Sequence, residues 1–121
     1  MTAQQMLGII PSLQKLMELQ LPIKKSYEVY KLIKNINEQK DFFALEERKL
    51  IDKYNATILE NGNIKFITKE DQINFSEEYE VLMNCEIDVV AAVELTFDDL
   101  GSSEFSPKEI MALEGVINFI D

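Results

Sequence analysis

Five carboxylates close together in the chain are the residues best placed to do chemistry. Glu86, Asp88 and Glu94 fall in a stretch rich in β-branched residues, and Asp98 and Asp99 follow at its exit. Paired carboxylates can hold Mg²⁺ in a nuclease-like or hydrolase site, because hard cations take oxygen ligands. The competing reading is the solvated edge of an acidic strand, where charge also blocks unwanted sheet extension. The sequence favours that second reading. Acidic residues are frequent throughout this half, and no lysine sits nearby in the sequence to complete a site.

Other routes to catalysis are poorly supplied. The chain contains no histidine, which removes the commonest general base and excludes Ser-His-Asp and Cys-His mechanisms. Cys85 is the single cysteine. It cannot form an internal disulfide, which suits a reducing cytoplasm. At an expected helix-to-strand junction it reads as a small buried hydrophobe. One Cys and no His leave no zinc spacing. Gly8, Gly62, Gly101 and Gly115 are scattered and form no phosphate-cradling loop. The chain therefore reads as non-enzymatic, with no catalytic residue, no metal and no cofactor.

The elements that carry these residues can be placed from pattern. The 121 residues fit one domain, with a helical hairpin over 1–55 and an α+β part over 56–121. Thr2 and Gln5 make a capping box for a first helix. Its apolar face is Met6, Ile9, Ile10, Leu13, Leu16 and Met17, with Pro11 expected to kink it or to mark its start. Pro22 then opens a helix that runs unbroken to about Tyr54, roughly 50 Å at 1.5 Å per residue. That is longer than a chain of this size needs for its own core.

This long helix carries two apolar patches. The first is Ile23, Tyr27, Tyr30, Leu32, Ile33 and Ile36; the second is Phe42, Phe43, Leu50, Ile51 and Tyr54. The wholly polar run Asn37–Asp41 separates them, so the middle is expected to be solvated, bent or turned to another face. The first helix is long enough to cover the first patch only. The second needs cover from the C-terminal half or from another subunit. Tyr27, Tyr30, Phe42, Phe43, Leu50 and Tyr54 are the candidate interface residues, with ordinary core packing as the alternative.

Asn55 suits a left-handed helix stop. Asn61-Gly62 between two short apolar runs predicts a hairpin over 57–67. Thr68 caps a third helix, with Asp71 near its positive end. Residues 86–97 read as a strand in one small antiparallel sheet with the hairpin, with Val93, Leu95 and Phe97 on one face. Ser106-Pro107 starts a last helix carrying Ile110, Leu113, Ile117 and Phe119. The fold class is α+β.

Charge narrows the partners. Residues 1–56 carry nine basic and seven acidic side chains, whereas residues 57–121 carry three basic and fifteen acidic. The first part is thus +2 and the second −12, a net charge of −10 that repels phosphate backbones, so nucleic-acid binding is disfavoured. No apolar run approaches the ~20 residues that span a bilayer, and the first residues lack a signal-peptide pattern. Glu86, Asp88, Glu94, Asp98 and Asp99 form a candidate acidic face for a basic partner, with plain solubility as the alternative.

Four ordered stretches carry a family resemblance. They are Leu21-Pro22-Ile23-Lys24 with Ser26-Tyr27; Glu46-Glu47-Arg48-Lys49-Leu50-Ile51-x-Lys53-Tyr54; Glu78-Tyr79-Glu80-x-Leu82-Met83-Asn84-x-Glu86; and Ser106-Pro107-x-Glu109-Ile110-x-Ala112-Leu113-Glu114. In this order they resemble a group of small, uncharacterised tailed-phage and prophage proteins. That group commonly has a longer acidic turn after the Lys-Tyr pair, shortened here to 55–63. The resemblance implies a phage-encoded accessory protein, in the host bacterial cytoplasm or the virion, and brings no catalytic residue or cofactor. Three functions are then in play. The first is a non-enzymatic interaction protein that binds itself, or another phage or host protein. The second is an acidic, DNA-mimic-like inhibitor of a host defence or nucleic-acid-processing protein. The third is a metal-dependent hydrolase built on Glu86, Asp88 and Glu94.

Overall fold

Local signals set most of the helix boundaries in the computed structural model, which describes residues 1–89 and 93–120. Helix α1 spans Ala3–Leu16 and starts at a complete Thr2/Gln5 capping box. It continues through Pro11, so the proline does not mark the helix start, and a residue without an N–H gives up one backbone hydrogen bond there. Helix α2 spans Ile23–Lys53, with Pro22 before its first turn. It stops at Tyr54, and Asn55 takes the left-handed φ of 53° that ends the spiral. Thr68 caps helix α3, Lys69–Met83, by accepting from the Asp71 backbone N–H at 3.1 Å. Ser106 and Pro107 start helix α4, Pro107–Leu113, with a capping box to Glu109. Among the described residues no helix is long and apolar enough to cross a membrane.

The α+β class holds, with four α-helices and two small sheets among the described residues. Strands β1 (Thr57–Ile58) and β2 (Ile64–Lys65) pair antiparallel around the Asn61-Gly62 turn. Gly62 sits at φ 85°, a conformation that a side chain resists.

The second sheet departs from expectation. Strand β3 is Val93–Thr96, and it pairs in parallel with β4, Ile117–Ile120, rather than joining the hairpin. Residues 90–92 of the expected 86–97 strand lie outside the described residues. The segment before them is tied instead to the chain's first residues. Cys85 O accepts from the Ala3 N–H, the Ile87 N–H donates to Met1 O, and Glu86 bridges Thr2. Those bonds commit one edge of 85–87 to the chain's first residues, and the hairpin pairs only with itself.

Strand β4 was expected as the tail of the last helix. The helix ends at Leu113, where the Val116 N–H reaches back to the Leu113 carbonyl at 2.9 Å. Ile117 then points inward and Asn118 outward, a strand alternation. Parallel strands need a long crossover, and residues 97–116 supply it through a 3₁₀ turn, Phe97–Leu100, and α4. Phe97 lies in that turn, stacked on Phe119 at 5.4 Å, and not on the buried face with Val93 and Leu95.

The core gathers Met6, Leu16, Ile36, Leu95 and Leu113, all essentially fully buried. It draws on α1, α2, α4 and the parallel sheet together. Phe75 begins a smaller cluster, with Phe66 and Tyr79 against it at 5.1 and 5.7 Å. Cys85 was expected inside and is exposed, its thiol turned toward the Val81 carbonyl at 3.4 Å.

Candidate interaction surface on the long helix

At about 100° per residue, α2 presents two opposed faces. Val29, Leu32, Ile36 and Phe43 are buried on one. Ile23, Tyr27, Tyr30 and Leu45 lie roughly half a turn away and are exposed, Tyr27 by 59%, Tyr30 by 56% and Leu45 by 56%. The aromatic residues that looked like one group in the sequence therefore divide. Phe43 is 8% exposed and belongs to the core, while its neighbour Phe42 is 51% exposed, edge-on to it at 5.2 Å.

The polar middle of α2 remains helical. Gln39 stands where the buried stripe would need its next apolar residue. Its amide donates to Asn35 Oδ1 at 2.9 Å and to the Asp88 carbonyl at 3.0 Å. A polar tether thus replaces a hydrophobic contact and keeps the helix against the body.

Helix α3 covers the second patch. Ile51 is buried and Leu50 half-buried. The Tyr54 hydroxyl donates to Glu78, whose other oxygen meets Lys53 Nζ at 2.9 Å. These hydrogen bonds hold the Glu78 carboxyl below its usual range, Tyr54 first and Lys53 second. The same bond to Glu78 raises the Tyr54 hydroxyl above its ordinary value. Tyr54 and Leu50 thus close the α2–α3 joint, Phe43 joins the core, and the outward surface keeps Tyr27, Tyr30 and Phe42.

Ile23, Leu45 and Met17 extend that surface, exposed by more than half. Leu45 was missing from the candidate interface residues, although steps of three and four from Tyr27 and Tyr30 lead through Lys34, Glu38 and Asp41 to it. Lys31 lies over the Tyr27 ring at 4.9 Å, and the Tyr27 and Tyr30 rings stack at 6.1 Å. Beside the stripe, α2 and the α1–α2 connection enclose a groove of about 430 Å³. Leu16, Leu19, Leu21 and Val29 line it, with Lys34, Glu38 and Asp41 along one side. A second exposed apolar group, Ile58, Leu59 and Ile67, lies on and beside the hairpin.

The acidic candidates do not act as one group. Glu86 meets the Met1 amino group at 3.1 Å. Asp99 pairs with Lys25 at 2.6 Å and accepts from the Thr96 backbone N–H at 2.8 Å. The lysine missing from the local sequence is thus brought in by α2. Lys25, then the Thr96 amide, hold the Asp99 carboxyl below its usual range. Asp88, Glu94 and Asp98 are exposed. Among the described residues, no three His, Cys, Asp or Glu side chains converge as a metal-binding group.

A carboxylate with a depressed folded-state pKa stabilises the fold above its unfolded pKa. That stabilisation is lost as pH falls through the folded value. Asp99→Asn retains the oxygen acceptor for Thr96 and removes the charge from Lys25. The variant should be less stable than the parent at pH 7 in urea unfolding. The gap should begin to narrow as pH falls past the ordinary Asp value of 3.8 and close below the lower folded-state value. A gap that persists unchanged at pH 2 would assign the effect to the turn alone.

No protein-family model, no curated protein and no solved structure matches the chain.

Proposed function

We propose that this chain is a non-catalytic interaction protein that associates through the outward face of α2, with a second copy as its first partner. The observation that carries this is two exposed apolar groups on the outward side of α2, Tyr27 with Tyr30 and Phe42 with Leu45, turned away from its buried face. Tyrosine is enriched at interfaces because it joins a large apolar ring to a polar tip. Each such residue left in water forgoes on the order of 1–2 kcal/mol of burial that a partner supplies. We place the protein in a phage setting, host cytoplasm or virion, on the four ordered stretches of sequence alone.

Light scattering across a dilution series tests the association. The weight-average mass should rise above 14.0 kDa as concentration reaches about 100 µM, the range of a weak interface. Constant monomer mass at that concentration overturns self-association.

A second reading is an acidic surface that occupies the basic site of a host protein. It is favoured by the excess of acids after residue 57 and by the exposed Glu94 and Asp98. Its signature is capture of a basic host protein from lysate at low salt that is lost steeply as salt rises. Capture that is indifferent to salt removes it.

A further inference from the structure

The outward face of α2 carries a pattern more specific than apolar exposure. Tyr27, Lys31, Lys34, Glu38, Asp41 and Leu45 follow one another at alternating steps of four and three residues. That is the heptad spacing of a coiled-coil seam. All six are exposed. The order of chemistry along the seam is apolar, basic, basic, acidic, acidic, apolar. Reversed, it becomes its own complement.

We propose that two copies pair through this seam as an antiparallel, two-fold symmetric dimer whose axis crosses the seam midway between Lys34 and Glu38. This rests on the self-association proposed above and adds its geometry. Tyr27 of one copy then packs against Leu45 of the other, Lys31 faces Asp41, and Lys34 faces Glu38. Symmetry gives each layer twice, as an isologous interface requires. Tyr30 and Phe42 flank the seam and shield the charged layers.

Charge discriminates against the alternatives. A parallel pairing sets Lys34 on Lys34 and Glu38 on Glu38. An antiparallel slip of one heptad sets Lys31 on Lys34 in one direction and Glu38 on Asp41 in the other. Like charges oppose one another in all three, and only the proposed register matches every charge with its opposite. Charged residues at seam positions cost stability and fix register and orientation.

Beyond Tyr27 and Leu45 the next layer would oppose Lys24 to Arg48, so the seam closes there. Nineteen residues of helix, about 28 Å long and ~10–12 Å wide, bury well under 1,200 Å² in total. The dimer is therefore weak and reversible.

Cross-linking tests the register in a Cys85→Ser background, where no other thiol remains. Tyr27→Cys protein and Leu45→Cys protein are treated with a short bis-maleimide, each alone and mixed. The mixture should give the covalent dimer, and each protein alone should not. Like positions lie roughly 27 Å apart in the proposed pairing. A second arm reads dimerisation by sedimentation. Lys34→Glu should weaken it roughly tenfold by placing like charges together twice. Adding Glu38→Lys to the same chain should restore it. A Tyr27→Cys protein that cross-links to itself shows a parallel pair and overturns the proposal. A dimer in light scattering with no cross-link in the mixture and no rescue places association elsewhere, overturning this register while leaving self-association standing. A monomer by light scattering overturns both.

Discussion

Leu95→Ala should lower the stability of the fold by about 3–4 kcal/mol, and its melting temperature by roughly 12–16 °C. Leu95 is 0% exposed and stands on β3 opposite Phe119 of β4. It joins the parallel pair to the core shared with α1, α2 and α4. Truncation removes its transfer free energy and leaves a cavity that strand hydrogen bonds hold open. A chain of this length has on the order of 6–18 kcal/mol of total stability, so the loss is a large part of it. Urea unfolding monitored by circular dichroism measures the change. A cost below about 1 kcal/mol would mean that the β3–β4 pair is not the centre of the core.

Tyr27→Asp with Leu45→Asp should have the opposite profile. Both side chains are more than half exposed, so the fold should change by less than about 0.5–1 kcal/mol. Association should fall roughly a hundredfold or more. Four carboxylates would enter the proposed dimer, two at each end, where apolar rings and methyl groups would otherwise exclude water. Sedimentation and urea unfolding on the same protein separate the effects. Loss of both fold and association would show that these residues support the monomer. Loss of neither would remove the α2 face from the interaction.

The helices were legible because their signals are local. Thr2 with Gln5, Pro22, Asn55, Thr68 and Ser106-Pro107 each satisfy or avoid an end-of-helix backbone group within a few residues. Strand β4 was hidden because Ile110, Leu113 and Ile117 continue a helical period through the actual helix end. The partner that makes Ile117–Ile120 a strand is Val93–Thr96, more than twenty residues away. No local residue encodes a parallel pairing. The same non-locality applies to the segment after Cys85, whose backbone is tied to residues 1–3.

The interface candidates were half legible for a geometric reason. Tyr27, Tyr30, Phe42, Phe43, Leu50 and Tyr54 share apolar character but not one helix face. Counting them by composition merged an exposed stripe with the α2–α3 joint. Glu78 decided the fate of Tyr54, and it comes from a different helix. The carboxylates were misleading in a related way. Asp99 looked free until Lys25, from α2, came to lie 2.6 Å away.

Amide chemical shifts followed by NMR on dilution locate the association surface directly. Changes with concentration should be confined to α2 between Ile23 and Lys49, strongest at Tyr27, Lys34, Glu38 and Leu45. Shifts that move instead around Ile58 and Ile67 of the hairpin, or spectra that stay constant up to about 100 µM, would contradict the account.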